Sequence, residues 1–360
     1  MSPKAHLPEA PRTDAQLTDT QAMQLALDSA RKGVRGANPL VGAVITDATG
    51  QLLATGWHRG AGTPHAEADA LAQARAAGID VRGARMFVTL EPCNHTGRTG
   101  PCSVAIAEAG IAEVTYAYAD TTDDAAGGAA YLRSQGIAVR GGLLEDNAYA
   151  LNARWFTAAA GRRPFVTAKI ASSLDGFIAA ADGSSQWITG EDARSDGHAL
   201  RTRADAIMVG TGTVLADNPQ LTARTPEGQL AEKQPLRVVM GTSQIPAGHL
   251  ADAISEGKAV HLPTRNPQQA LTELYARGVR HLLLEGGPTL ITAFMRANLI
   301  DELYWYRAPL LLGSGKPALG DLGINSLSQA AHWQLDHLTK HPAAQTLGAD
   351  VRTRLVPANE

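Results

Sequence analysis

The sequence predicts an α/β protein built from two domains, and three observations lead to this class. The chain has 360 residues, which at about 150 residues per domain suggests two folding units. Strand patterns alternate with helical patterns along both halves, as in layered α/β folds. The composition changes between residues 141 and 164, where glycine pairs and a Gly-Arg-Arg-Pro stretch flank a helical segment. We therefore place a boundary near residue 147, between a domain at 20–147 and a domain at 148–360.

The first half predicts a three-layer sandwich of helices on a sheet. The helical spacing of apolar residues that starts at Thr20 is stopped by Gly33 and Gly36. Two apolar runs around a turn predict a hairpin, and Pro64 suits the first position of a helix. In chain order we predict a helix at Thr20–Arg35, strands at Leu40–Thr46 and Gln51–Trp57, a helix at Pro64–Gly78, a strand at Arg85–Leu90, a helix at Pro101–Ala109 and a strand at Glu113–Ala119.

The second half shows a similar alternation, with no internal repeat of the first half. Its helices are expected between several of the strands, notably at Glu191–Arg203 and Pro288–Asn298. The apolar runs predict strands at Phe165–Ile170, Ala206–Gly210, Leu236–Met240, Ala259–Leu262, His281–Gly287 and Glu302–Leu312.

Composition and charge restrict the class of function. The chain has 32 Lys and Arg against 35 Asp and Glu, a net charge of −3, so it lacks the excess of cations typical of nucleic-acid binders. Residues 1–20 lack the apolar run of a signal peptide, and no later window resembles a membrane span. Two cysteines cannot form a disulfide framework. We expect a soluble cytoplasmic protein with a flexible tail at 1–19 that acts on a small molecule and binds neither nucleic acid nor membrane.

Both cysteines belong to one candidate metal site. Cys93 follows a predicted strand, Cys102 starts a predicted helix, and His65 and Glu67 lie at an earlier helix start. One imidazole and two thiolates give zinc three protein ligands and leave a position for water, as in catalytic sites. The start of a helix also favours the thiolate form of Cys102. His-x-Glu followed by Pro-Cys and a second Cys is typical of zinc nucleobase deaminases, in which the glutamate moves protons. Here the cysteines are nine positions apart instead of three, which requires a longer loop.

Two other interpretations of these residues stay open. Cys93 and Cys102 are ordinary buried thiols in the first, and His65 is then a surface histidine. In the second, His95 is a fourth ligand, and the closed site is a structural one that leaves Glu67 without a purpose. The joint pattern favours the catalytic interpretation over both.

The second half contains a weaker phosphate signal. Gly210-Thr211-Gly212 follows a strand but does not complete the Rossmann pattern, so a Rossmann site is not supported. Glu285-Gly286-Gly287 lies between a strand and a helix, where glycines allow close approach and free N–H groups suit a phosphate. Glycines at a strand-to-helix turn are also common for steric reasons alone.

In the first half, these motifs resemble those of the bifunctional deaminase-reductase family of riboflavin biosynthesis. The resemblance rests on Asn38-Pro39-Leu40-Val41-Gly42, His65-Ala66-Glu67 and the segment from Cys93 to Cys102. It implies one zinc ion per chain, held by His65, Cys93 and Cys102, with Glu67 as the proton donor. It also implies substrate contacts from Asn38, His95, Arg98 and Thr99. Asn38-Pro39 is equally consistent with a simple turn, and the family's loop after the fourth strand is replaced by residues 120–128.

The second half is similar to the reductase domain of the same family. The similarity lies in Lys169–Gly176, Ser185–Thr189, Thr213–Thr222 and Glu285-Gly286-Gly287, and it implies NADPH as cofactor. The residues implied for the cofactor are Ala171, Trp187, Thr213, Asp217, Thr242 and Gly287, and those implied for the substrate are Ser185, Arg201, Leu221, Arg224 and Glu285. Gly241 replaces the family's aspartate, which makes the cofactor contact of Thr242 less secure.

The resemblance implies a fold and an activity for the whole chain. The fold is an N-terminal cytidine-deaminase-like three-layer α/β/α domain plus a C-terminal dihydrofolate-reductase-like α/β domain. The activity is hydrolytic deamination of 2,5-diamino-6-(5-phosphoribosylamino)pyrimidin-4(3H)-one, followed by reduction of the ribosyl group of the product to ribityl, and a homo-oligomer is expected. Two competing hypotheses are a nucleic-acid deaminase with a C-terminal binding module and an interaction protein stapled by structural zinc.

Overall fold

The structure, a computed structural model, divides into two compact units. It describes residues 16–34, 36–60, 62–94, 100–120, 127–225, 227–336 and 342–358. The first unit ends at Ala153 and the second begins at Arg154. Both positions lie in the helix Glu145–Gly161, which also contains the boundary predicted near residue 147. The Asn152 side chain in this helix accepts from the Leu40 N–H at 2.9 Å and donates to the Leu40 carbonyl at 2.8 Å, which attaches the first half of the helix to the first unit.

The first unit contains a five-stranded sheet in the order β2-β1-β3-β4-β5. The β1–β2 hairpin is antiparallel, as predicted, whereas β3, β4 and β5 are parallel to one another. The elements are α1 (Asp19–Ala30), β1 (Gly42–Thr46), β2 (Leu52–Trp57), α2 (Ala66–Ala76), β3 (Arg85–Leu90), α3 (Cys102–Glu108), β4 (Glu113–Tyr118), α4 (Gly128–Ser134), β5 (Ala138–Gly141) and α5 (Glu145–Gly161).

Helices cover both faces of this sheet and confirm the three-layer prediction. On one face, α1 and the start of α5 pack on Val44 and Phe87. On the other, α2, α3 and α4 pack on Ile45, Met86 and Val88. The strands carry apolar side chains on both faces, as expected for a sheet buried between helices.

The second unit is built on a nine-stranded sheet. Its order is β10-β9-β8-β11-β6-β12-β16-β14, with β15 also paired to β16. The elements are β6 (Phe165–Ser173), β7 (Phe177–Ala180), α6 (Glu191–Arg203), β8 (Ala206–Gly210), α7 (Thr211–Asp217), β9 (Leu236–Met240), α8 (His249–Ser255), β10 (Ala259–Leu262), α9 (Pro267–Ala276), β11 (His281–Leu284), α10 (Pro288–Arg296), β12 (Glu302–Ala308), β13 (Gly315–Pro317), a 3-10 turn (Leu327–Gln329), β14 (Trp333–Leu335), β15 (Ala344–Leu347) and β16 (Asp350–Pro357).

The second sheet is also covered on both faces. Its strands from β10 to β12 are parallel, and β16 adds an antiparallel strand. The α9 and α10 helices pack on one face, and α6, α7 and α8 pack on the other. The carboxyl ends of parallel strands meet at one edge, where α/β proteins bind ligands. Glu285 and Thr211, which directly follow β11 and β8, lie at this edge.

Several predicted elements end earlier or begin later in the structure. The α2 helix begins at Ala66 with His65 as its N-cap, so Pro64 precedes the helix instead of opening it. The β11 strand ends at Leu284, which leaves Glu285-Gly286-Gly287 in the loop before α10. The β12 strand ends at Ala308. Among the described residues, no helix has the length and apolar character needed to cross a bilayer.

Candidate active sites

The first unit brings His65, Cys93 and Cys102 together. His65 is the N-cap of α2, Cys93 follows β3 and Cys102 is the first residue of α3. The Nδ1 of His65 lies 3.2 Å from Cys102 Sγ and 3.5 Å from Cys93 Sγ. All three ligand atoms lie within 4.8 Å of one another. The segment after β3 is attached to α3, since the Ser103 N–H donates to the Cys93 carbonyl at 3.2 Å and Ser103 Oγ donates to Asn94 Oδ1 at 2.7 Å.

These donors fit a zinc ion. Bond lengths of about 2.0 Å to nitrogen and 2.3 Å to sulfur place tetrahedral ligand atoms about 3.5 Å apart, close to the observed separations. Both thiols are free and buried. The hydrogen bond between them lowers the pKa of Cys93 to about 4 and is the largest cause of a raised pKa at Cys102. Both shifts follow from one proton that lies between the two buried sulfurs.

Glu67 is buried beside these donors. It lies in the first turn of α2 and is 3% exposed. Burial is the largest effect and raises the pKa of its carboxyl to about 7, and the Cys102 thiol lies within hydrogen-bonding reach. Loss of hydration disfavours the charged carboxylate, so this side chain both holds and releases a proton near neutral pH.

Asn38 is held by a histidine that the sequence analysis did not single out. Asn38 Nδ2 lies 3.0 Å from His58 Nε2, and His58 Nδ1 lies 2.9 Å from the Pro64 carbonyl. Because a carbonyl can only accept, Nδ1 carries the hydrogen and Nε2 accepts from the Asn38 amide. Burial lowers the pKa of His58, which keeps it neutral. The His58 ring also packs edge-on against the His65 ring, with 5.6 Å between the ring centroids. The sequence offered one signal for this residue, its position seven residues before the proposed ligand His65.

The α4 helix presses on the loop that carries Cys93. A side chain at Gly128 would place its Cβ 1.7 Å from the Pro92 carbonyl oxygen, which only glycine allows. The Ala129 N–H donates to Glu91 Oε1 at 3.0 Å. Gly127 and Gly128, the last two residues of the segment that replaces the family's loop, thus begin a helix that supports the proposed metal site. His95, Arg98 and Thr99, and residues 121–126 of the replaced loop, lie outside the described residues.

In the second unit, Glu285 is the centre of a buried ion pair. Arg201 Nε and Nη2 donate to its two oxygens at 2.8 and 2.9 Å, and Lys169 Nζ lies 3.9 Å away. Burial raises the pKa of Glu285, but Arg201 and Lys169 outweigh it and bring the value to about 2. Arg201 Nη1 donates to the Thr222 carbonyl at 2.9 Å, beside the buried Leu221 with its positive φ of 53°. The guanidinium group of Arg201, a residue implied for the substrate, thus faces Glu285.

Two residues implied for the cofactor lie together at the same strand edge. A Cβ at Gly287 would lie 3.8 Å from Thr213 Oγ1 and 4.0 Å from Lys316 Nζ. Gly287 is the N-cap of α10. Ala171 is half-buried in β6, whereas Asp217 and Thr242 are exposed.

The Cβ of any other residue at Gly241 would lie 2.6 Å from Thr211 Oγ1, and φ there is 140°, which explains why this chain has glycine.

Ser185 and Trp187 lie on the surface of the second unit. Trp187 is 68% exposed, and Arg194 Cζ lies 4.6 Å from its ring centroid. Ser185 is exposed as well, whereas Arg224 is half-buried. Trp187 is therefore not a core residue, the default for a tryptophan.

The fold and the two sites define a bifunctional class of enzyme, with a zinc-binding deaminase domain followed by a reductase domain. The family model for the cytidine and deoxycytidylate deaminase zinc-binding region matches residues 17–118, and the model for the RibD C-terminal domain matches residues 164–344. The chain is similar to riboflavin biosynthesis protein RibD of Mycobacterium tuberculosis (strain ATCC 25618 / H37Rv), with 46% identity over 325 residues, 89% of this chain and 94% of the relative. It is 34% identical to RibD of Escherichia coli (strain K12), covering 95% of this chain and 100% of the relative.

Solved structures agree with these relatives. The Thermotoga maritima diaminohydroxyphosphoribosylaminopyrimidine deaminase / 5-amino-6-(5-phosphoribosylamino)uracil reductase matches with a TM-score of 0.82 and 30% identity, over 94% of this chain and 99% of that one. Form 1 of Acinetobacter baumannii RibD matches with a TM-score of 0.82 and 35% identity, over 95% and 99%. This chain belongs to the RibD family of riboflavin biosynthesis proteins. It is a bifunctional enzyme with a zinc-dependent deaminase domain and an NADPH-dependent reductase domain.

Proposed function

We propose that the first unit deaminates a 2,5-diaminopyrimidine that carries a ribosylamine 5-phosphate, and that the second unit reduces the ribosyl group of the resulting uracil. The name of the Thermotoga maritima relative, a diaminopyrimidine deaminase and uracil reductase, supports this pair of substrates. The proposed deamination rests on one observation, the cluster of His65, Cys93 and Cys102 with Glu67 buried beside it. A net charge of −3 supports a small-molecule substrate over a nucleic acid.

His65, Cys93 and Cys102 are the proposed zinc ligands. When bound, zinc supplies a water whose pKa is lowered to about 7, so that a nucleophile is available at neutral pH. The three residues hold this group beside the Glu67 carboxyl, which exchanges protons with its surroundings near pH 7. Glu67 would accept a proton during attack at the amino-bearing carbon and return one to the departing ammonia. That carbon exchanges a C–N bond for a C–O bond, so the step needs no oxidant or reductant.

Asn38 is the proposed contact for the substrate base. His58 occupies the amide nitrogen of Asn38 and leaves the side-chain oxygen to accept from the substrate. His95, Arg98 and Thr99 complete the proposed set of contacts on the basis of the family resemblance alone.

In the second unit, NADPH supplies the hydride. The chain holds the cofactor and the substrate in position and excludes water from them. Ser185, Arg201, Leu221, Arg224 and Glu285 are the proposed substrate contacts. Glu285 orients Arg201 through two hydrogen bonds, and Lys169 adds an ammonium group to the same cluster. The cofactor would lie along the strand edge at Ala171, Trp187, Thr213, Asp217, Thr242 and Gly287.

Mass spectrometry of the products tests this proposal. The zinc-loaded protein is incubated with the diaminopyrimidine ribotide, with and without NADPH. We expect the mass of the deaminated uracil without NADPH and a further gain of two hydrogens with it. Unchanged starting material in both reactions would contradict the proposed substrate.

We also propose that the chain is a cytoplasmic homo-oligomer. Light scattering after size-exclusion chromatography tests its oligomeric state directly.

A further inference from the structure

A histidine on α6 faces the proposed substrate contacts of the second unit and has no assigned role. His198 lies three positions before Arg201, so both side chains extend from the same side of the helix. Among the described residues, its Nδ1 is a buried side-chain nitrogen with no hydrogen-bond partner. Buried polar atoms nearly always have a partner. This nitrogen is therefore a candidate for contact with a ligand.

The groups around His198 indicate the charge of that ligand. Arg201, Arg224 and Glu285 act electrostatically on its ring, and the Thr222 carbonyl interacts with it as well. Glu285 is already paired with Arg201. Arg224 forms no ion pair within the described part of the chain and donates instead to the Gly228 carbonyl at 2.8 Å and to Gln220 Oε1 at 3.0 Å. The environment thus holds an excess of positive charge and favours an anion.

The ring has one nitrogen to offer. Nδ1 is the ring nitrogen that no atom of the described residues satisfies. It donates whenever it carries hydrogen, as it does in one neutral tautomer and in the protonated ring. A phosphate oxygen accepts such a hydrogen bond whenever the phosphomonoester carries negative charge. A hydrogen on Nδ1 therefore suits a phosphate group even though burial lowers the pKa of His198.

We propose that His198 is a further substrate-binding residue of the reductase site and that its Nδ1 shares a hydrogen bond with the 5-phosphate of the sugar phosphate. The proposal rests on the proposed function of the second unit, in which Arg201 and Arg224 contact the same substrate. It adds a residue that recognises the phosphate group and not the base or the nicotinamide.

Two substitutions separate the two ring nitrogens. In His198→Gln the longer amide reaches the position of Nε2 and removes the Nδ1 contact. In His198→Asn the shorter amide places its nitrogen near the position of Nδ1. Steady-state reduction is measured with the phosphorylated substrate and with the same compound lacking the phosphate. His332→Gln, a change at an exposed histidine, is the matched control.

We expect His198→Gln to raise the KM for the phosphorylated substrate about 10- to 100-fold, the range of a hydrogen bond to a charged group, with a small change in kcat. The KM for the dephosphorylated compound should stay constant, and His198→Asn should restore most of the loss. Equal changes in both KM values, or no change, would overturn the proposal even if a variant is less stable, because the ratio of the two KM values does not depend on the amount folded. Failure of the wild-type protein to reduce either compound would contradict the proposed function, a distinguishable result.

Discussion

Glu67 and Glu285 are both buried glutamates, yet the fold moves their pKa values in opposite directions. At Glu67, burial dominates and the pKa is about 7. At Glu285, burial acts in the same sense, but the charges of Arg201 and Lys169 outweigh it and give a pKa of about 2. The first side chain can exchange a proton near neutral pH, and the second stays ionised and holds a cation in place. Neighbouring charge therefore decides which kind of chemistry each carboxyl supports.

Replacing Glu67 with glutamine should remove the proton carrier and keep its shape. We expect Glu67→Gln to lower the deamination rate by about 10²- to 10⁴-fold, the usual contribution of general acid–base catalysis. Zinc content, measured by atomic emission, and NADPH-dependent reduction of separately supplied uracil intermediate should both be retained. Ammonia release at the wild-type rate would rule out this role for Glu67.

The lowered pKa of Glu285 makes the second unit sensitive to acid. Its folded pKa lies below the value of 4.5 for an ordinary glutamate, so the unfolded chain binds the proton more tightly. The stabilisation is complete above pH 4.5 and is lost as the pH falls towards 2. A difference of this size corresponds to about 3 kcal/mol.

We expect Glu285→Gln to lower the melting temperature of the second unit at pH 7, because it leaves Arg201 buried without its partner. The gap to the wild-type protein should narrow as the pH falls below 4.5. Thermal melts of both proteins between pH 7 and pH 3 measure this gap. Glu273→Gln, which changes an exposed ion pair with Arg277, serves as a control with little effect. A gap that does not depend on pH would contradict the expectation.

At the scale of elements, short helices position the proposed metal ligands. The α2 helix starts after His65, α3 starts with Cys102, and α4 presses on the Cys93 loop. Close approach is achieved with glycine, which lacks the Cβ that would separate the elements. Gly56 allows the same close approach between β2 and α2, since a Cβ at this position would lie 2.3 Å from the Ala70 nitrogen in α2.

A methyl group at Gly128 should displace the Cys93 loop. Its Cβ would meet the backbone oxygen of Pro92 at 1.7 Å, a contact that only movement of α4 or of the loop relieves. We expect Gly128→Ala to weaken zinc binding about 10- to 100-fold, as changes next to metal ligands do, and to lower deamination in parallel. Competition with a chromogenic chelator measures the affinity. Gly212→Ala, with no atom within 4 Å of its added Cβ, should leave zinc binding unchanged.

At the scale of the molecule, each unit has its own buried core. The first unit packs Ile45 and Met86 on one face of its sheet and Phe87 on the other, and the second unit packs around Leu282 and Leu283. Domains with separate cores can fold and act independently. The proposed metal site lies in the first unit, whereas the proposed reductase residues lie in the second.

Removal of zinc should therefore stop one reaction and spare the other. We expect a chelator to abolish ammonia release while NADPH oxidation with the uracil intermediate continues at close to its original rate. Circular dichroism should show that the first unit stays folded, because its apolar core does not depend on the metal. Unfolding of this unit on chelation would instead favour a structural zinc site.

The sequence predicted the principal strands and helices because their apolar residues repeat with regular spacing. It did not predict α4, whose Gly-Gly-Ala-Ala start has no such repeat, or the eight-residue β16. It also missed β5, β7, β13, β14 and β15, which have three or four residues each. Such short elements are stabilised by neighbours distant in the chain.

The sequence by itself determined the α/β class and the family and indicated the candidate metal donors, because strand and helix periodicity and the spacing of His65, Glu67, Cys93 and Cys102 are local properties of the chain. The tertiary structure alone decided which side chains meet. Asn38 meets His58 across 20 positions, and Arg201 meets Glu285 across 84. Such pairs leave no local pattern, because sheet order and packing, and not sequence spacing, bring them together.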